Sequence, residues 1–149
     1  VMHIRVSISD QTLYLLEQGE LVISYPISSA ANGLGFEEGS YCTPTGRFEV
    51  CEKIGDGEAP GTVFKSRLPI GHWDGAPSDA DLVLTRILRL NGLDPENANS
   101  RDRYIYIHGT NQEHLLGQPA SCGCIRLSNQ DVIDLYDRIE EGTPMTIEP

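Results

Sequence analysis

At 149 residues, 39% of them hydrophobic and 22% charged, the chain is long enough to bury roughly 70% of its unfolded surface and needs no covalent staple to fold. Its 22 acidic residues against 11 basic ones give a net charge of −11, which argues against holding nucleic acid or an anionic membrane surface through bulk charge. No apolar run approaches the roughly 18 residues of a membrane span, and a single domain over 1–149 is expected.

The opening VMHIRVSIS has no signal-peptide pattern, which leaves a mature form, a trimmed one and a cytosolic protein all open. In HIRVSIS (3–9) Ile4, Val6 and Ile8 alternate with Arg5, Ser7 and Ser9, the period of a strand. TLYLLEQGELVISYPIS reads as two further strands about a Gln18-Gly19 turn, so three antiparallel strands are expected from the first 28 residues. SAANGLGFEEGSYCTPTG (29–46) has loop composition, and RFEVCEKI (47–54) is the next strand. TVFKSRLPIG (62–71) is strand-like up to Pro69. DLVLTRILRLNG (81–92) fits both periods. The β-branched Thr85 and Ile87 and the closing Asn91-Gly92 favour a strand. RYIYIHG (103–109) is a strand with Tyr104, Tyr106 and His108 on one face and Ile105 and Ile107 on the other. SNQDVIDLYDRIEEG is the one clear helix. Ser128 and Asp131 open it, Val132, Leu135, Tyr136 and Ile139 form its apolar stripe, and Gly142 stops it. TPMTIE closes the chain as a strand. The fold class is therefore mainly β with one C-terminal helix.

YIHGTNQEHLLGQPASCGCIRLSNQD (106–131) concentrates the chemistry: two of the four histidines and two of the four cysteines. A free thiol is mostly protonated at neutral pH, and a nearby imidazole can take its proton. His108 and Cys124 are far enough apart for a strand, a loop and a return strand to bring them together. Gly123 permits a tight turn, with amides available as an oxyanion hole. Arg126 lies two residues beyond Cys124, hence on the same face of an extended segment, where its cation could sit beside a thiolate or a substrate carboxylate. Zinc is a competing use of His108, His114, Cys122 and Cys124, although H-x5-H…C-x-C is not a familiar structural spacing. A Cys122–Cys124 disulfide would close a very small, strained ring. Cys42 and Cys51 read as packing, or as a pair if the protein is exported. His3 and His72 read as satisfied polar residues and His114 as loop surface. Trp73, in GHWDGAPSD, fits a lid or plain surface equally.

IHGT (107–110) followed by SCGCIRLSNQDVIDLYDRIEEGTPMTI (121–147) resembles the H-G…S-H-G-C-x-R signature of L,D-transpeptidase catalytic domains of the YkuD type. YCTPTGRFEV resembles the family's TPxGxF segment, LGQPAS its approach loop, and RVSISDQTLYLLEQGELVISYPISSA its first strands. The resemblance implies a β-sandwich with the catalytic cysteine in a cleft, Cys124 as nucleophile and His108 as general base. The Gly109 carbonyl would orient the ring, and Ser121, Cys122, Gly123 and Arg126 would line the site. It implies attack on the L,D bond between the diamino acid at position three and D-Ala at position four of a peptidoglycan stem. An amine acceptor then gives transpeptidation and water gives carboxypeptidation. It also implies an exported, cell-envelope protein, acylation by carbapenems, and no metal or organic cofactor. Cys122 departs from the family, which usually has histidine there. A non-catalytic wall-binding or zinc-binding module of the same fold is the alternative from another class.

Overall fold

A computed structural model describes residues 1–149. The strands are β1 (Met2–Ser7), β2 (Thr12–Glu17), β3 (Glu20–Pro26), β4 (Gly46–Ile54), β5 (Thr62–Lys65), β6 (Leu68–His72), β7 (Val83–Gly92), β8 (Tyr106–Gly109), β9 (Ile125–Leu127) and β10 (Pro144–Glu148), with one α-helix, α1 (Asn129–Arg138), before the last. They hydrogen-bond in the order β3-β2-β1-β10-β4-β7-β5-β6, and the sheet branches at β7, which also pairs with β8 and through it β9. The sheet is mixed. β1 runs parallel to β10 and β8 parallel to β9, while the other pairings are antiparallel.

The period-2 pattern explains the core. Ile4 and Val6 of β1, Leu13 and Leu15 of β2, Phe48 and Val50 of β4 and Leu88 and Leu90 of β7 bury their side chains in one cluster. Ile105, Ile107, Ile125 and Leu127, from the branch, join the same cluster, as does the predicted helix stripe of Val132, Leu135, Tyr136 and Ile139. Both arms of the sheet thus close on one apolar interior, and α1 packs against β7 and β8.

Ser128 caps α1, its Oγ accepting from Asp131 N–H at 3.0 Å. The helix ends at Arg138, four residues before Gly142, because Ile139 is already extended, its side chain held in the core. Gln18-Gly19 forms the predicted turn, both residues with positive φ. Residues 62–71 do not form one strand. The chain reverses at Ser66-Arg67, pairing Lys65 with Leu68, a turn that lacks the Gly or Asn by which such turns are read. The strand expected over 103–109 begins only at Tyr106, because Tyr104 has φ +59°.

Candidate active site

β8 carries His108 and β9 carries Arg126, and the two are register partners in a parallel pair. Partners share a face, so Tyr106, His108, Cys124 and Arg126 form a patch, with Cys124 one diagonal step from His108. Cys124 immediately precedes β9. Its Sγ accepts from Tyr106 N–H at 3.3 Å and lies 3.4 Å from the Tyr104 carbonyl oxygen.

The His108 ring is enclosed, 1% exposed, and its Nδ1 lies 2.6 Å from the Gly109 carbonyl oxygen. A carbonyl only accepts, so Nδ1 holds the proton and Nε2 is left with a lone pair in the neutral ring. Burial lowers the His108 pKa, and the Arg126 cation adds to that, while Asp81 and the Gly109 carbonyl oppose it. The ring is therefore neutral at physiological pH. Gly109 is dictated by crowding: a Cβ there would lie 2.5 Å from Asn129 Oδ1 and 2.8 Å from the Leu84 carbonyl oxygen. The crowding comes from β7, which bulges between Leu84 and Ile87, opposite Gly109 and His108. In the bulge Thr85 has φ +76°, rare for a β-branched residue, and its Oγ1 donates to Asn129 Oδ1 at 2.5 Å. Asn129 Nδ2 in turn donates to the Thr110 carbonyl at 2.9 Å.

Burial pushes the Cys124 thiol up to about 12, with Asp81 acting in the same direction and the Tyr106 N–H against it. The resting group is a thiol, not the low-pKa thiolate that a neighbouring base and cation would produce. No hydrogen bond joins Sγ to the imidazole. The turn before it is tightly held. Gly123 has φ +127°, where a Cβ would lie 3.2 Å from the Cys42 carbonyl oxygen. The Gly123 carbonyl accepts from Thr43 Oγ1 at 2.9 Å, which gives the TPTG segment its structural purpose. Ser121 Oγ accepts from Gly123 N–H at 3.2 Å and donates to the Cys124 carbonyl at 2.7 Å. The Cys124 N–H makes no hydrogen bond to the main chain. Cys122 is exposed beside it. Burial and then Asp81 raise its thiol pKa.

Arg126 is the correction to the sequence reading. Its side chain is wholly buried, donating to Asp81 Oδ1 at 3.1 Å, Gln112 Oε1 at 2.6 Å and Ser28 Oγ at 3.0 Å. So enclosed, the guanidinium is not presented to a substrate carboxylate in this structure, and it ties together the loops that carry Ser28, Asp81 and Gln112. Ser121, 3% exposed, likewise shapes the turn more than it lines the cleft. Asp81 also accepts from Cys122 N–H at 3.1 Å. Nothing in the sequence signalled Asp81, Thr85 or Asn129, because each acts through a partner distant along the chain. The main chains of Tyr104 and Tyr106 flank the sulfur, and Tyr104 with Tyr41, Arg103 and Cys122 lines a cleft of about 160 Å³. His114 sits exposed in a 3-10 turn, Glu113–Leu115, and no group of three or more His, Cys, Asp or Glu side chains converges as metal ligands. All four cysteines are free thiols, Cys51 Sγ lying 3.4 Å from the Arg89 carbonyl oxygen.

Residues 2–147 match the family model described as the L,D-transpeptidase catalytic domain, YkuD. The chain is 31% identical over 145 residues to YkuD of Bacillus subtilis (strain 168), provisionally named an L,D-transpeptidase, covering 97% of this chain and 65% of that protein. Among solved structures, the L,D-transpeptidase of Xylanimonas cellulosilytica superposes with a TM-score of 0.66 at 21% identity, over 99% of this chain and 60% of that one. L,D-transpeptidase 3 of Mycobacterium tuberculosis, in complex with a faropenem-derived adduct, gives 0.64 at 21% identity, again over 99% and 60%. This chain thus spans less than two thirds of the length of these proteins, and the likeness to the two structures is one of fold.

Proposed function

The chain belongs to the L,D-transpeptidase catalytic domain family, and from that premise we propose that Cys124 attacks the L,D amide between the third and fourth residues of a peptidoglycan tetrapeptide stem. The observation that carries this reading is the Nδ1–Gly109 hydrogen bond, which leaves the lone pair on Nε2 of a neutral ring whose residue shares a sheet face with Cys124. Because the thiol pKa is raised and the imidazole pKa is lowered, the resting pair is neutral. Proton transfer then accompanies attack. Sγ turns from the Tyr104 carbonyl toward His108, Nε2 takes the thiol proton, and a C–S bond forms at the stem carbonyl. The Cys124 N–H donates to the developing oxyanion. The C–N bond breaks, His108 returns the proton to the departing amine, and D-Ala leaves a thioester. A second stem's amine resolves it as a cross-link, and water as a tripeptide. Gly109 is the orienting group, Ser121 and Gly123 hold the turn, Cys122 edges the cleft and Arg126 braces it. The substrate would place the domain in the cell envelope.

Purified protein incubated with a disaccharide tetrapeptide is expected to release D-Ala, with a mass increase on Cys124 matching the acyl group. Product masses separate dimer from tripeptide. Cys124→Ser should abolish turnover, and full activity in that variant would move the nucleophile elsewhere. A non-catalytic module would bind the stem with neither adduct nor product.

A further inference from the structure

β5 and β6 form a hairpin whose two-residue turn, Ser66-Arg67, has φ of +49° and +66°. That geometry is native to Asn-Gly, and neither residue here relieves the strain. β6 is exposed along its whole length, so packing does not demand the turn. Arg67 nevertheless folds back toward the cysteine. Its Nη1 donates to Tyr106 Oη at 3.2 Å, and its Cζ lies 5.2 Å from the centre of the Tyr104 ring. The main chains of these same two tyrosines touch Cys124 Sγ. Arg67 therefore stands one tyrosine side chain away from the nucleophile.

No carboxylate lies within ion-pair distance of Arg67, although Glu52 acts on it from farther off. The five ion pairs of the molecule engage Arg5, Arg47, Arg89, Arg126 and Arg138, and Arg67 is in none, in a chain with twice as many acids as bases. Arg89 lies 5.5 Å from the same Tyr104 ring but is buried and pairs with Glu52 at 3.4 Å. Arg103, on the cleft wall, donates only to main-chain carbonyls and Ser40. Glu38 and Asp102 line the same cleft without pairing with either arginine. A strained turn that delivers an unpaired, partly exposed guanidinium onto an aromatic platform beside the nucleophile has the form of an anion reader.

We infer that Arg67 is a specificity-determining residue that binds a free carboxylate of the donor stem peptide, an assignment that rests on the transpeptidase reading above. Two carboxylates qualify: the C-terminal one on D-Ala, and a side-chain carboxylate on the diamino acid. The test uses tetrapeptides in which each is separately free or amidated, with wild type, Arg67→Gln and Arg67→Gly. For the donor bearing the recognised carboxylate, kcat/KM should fall about 10- to 100-fold in both variants. The corresponding amide should be turned over equally by all three proteins. Whichever amidation abolishes the difference identifies the carboxylate. Arg67→Gly should also raise Tm, because glycine relieves the turn while the preference is lost. Alkylation of Cys124 by iodoacetamide should proceed at one rate in all three. Equal losses on free and amidated donors, or no loss on any, would overturn the assignment. Should wild type turn over no donor, the transpeptidase reading fails by itself. Calorimetric binding of free and amidated tetrapeptides to Cys124→Ala, with and without Arg67→Gln, still decides Arg67: a carboxylate-dependent difference supports it and its absence removes it.

Discussion

His108 and Cys124 hold their pKa values apart in the sense that suits a neutral pair, the imidazole lowered and the thiol raised, with burial the first cause of both. This fixes the sign of the pH dependence. In the proposed mechanism turnover needs a neutral imidazole, so kcat/KM for D-Ala release should hold at neutral pH and fall only on an acid limb centred below the ordinary histidine value of 6.5. A thiolate–imidazolium pair would instead give a narrow bell, and an alkaline limb near pH 8 would contradict the neutral pair. Stability follows the same linkage. The unfolded thiol ionises near 9, below its folded value, so above pH 9 the unfolded state binds fewer protons and stability falls. Thermal denaturation against pH should show that alkaline decline reduced in Cys124→Ala. At this scale the sequence was legible for the proposed base and nucleophile as a pair of neighbouring strand positions, because His-Gly and Cys-x-Arg lie in short local patterns that β8 and β9 bring side by side. It misled about Arg126, since spacing gives the face of a strand and not whether a second layer covers it.

Among the elements, β7 has the largest effect on the site. Its bulge at Thr85-Arg86 lies opposite Gly109 and His108, and the Thr85–Asn129–Thr110 contacts fasten it to the start of α1 and the end of β8. Gly109→Ala should therefore lower stability by about 1–3 kcal/mol, the usual cost of overpacking, because its Cβ meets the Leu84 main chain, which has little freedom to move. Urea denaturation should show a lower midpoint at unchanged slope, and kcat should fall with it as His108 shifts. The same denaturation applied to Ser128→Ala should show a loss of about 1 kcal/mol for the cap, with kcat little changed. The contrast separates a site-bearing element from a supporting one. The helix was readable because one cap and a 3.6-residue stripe specify it locally. The β5–β6 hairpin was not, since Ser-Arg lacks the Gly or Asn that marks a positive-φ turn, and the side-chain hydrogen bond that ties the turn to the rest of the fold, Arg67 to Tyr106, joins residues distant in the chain.

Across the whole molecule, the sequence showed a mainly β chain and, through its motifs, the family. It could not show that β7 would pair with three strands or that β1 would lie parallel to β10, because such pairings join segments distant in the chain. Arg126 embodies the same long-range logic, joining Ser28, Asp81 and Gln112 from three separate segments. A buried pair like this adds little over an apolar replacement, but losing one partner leaves a charge with no counter-ion in low dielectric. Arg126→Ala should thus cost about 3–5 kcal/mol in urea denaturation. Asp81→Asn should cost less, because Gln112 and Ser28 still accept from the guanidinium. The two substitutions should be non-additive, the double variant losing clearly less than the sum, since Asp81 is no longer stranded once it is Asn. Activity supplies a second readout. Asp81 also accepts from Cys122 N–H, one residue from the Gly123 turn, so Asp81→Asn should slow acylation of Cys124 at temperatures where the variant remains fully folded. Additive losses, or unchanged acylation in folded Asp81→Asn, would show that the brace holds the fold without setting the nucleophile.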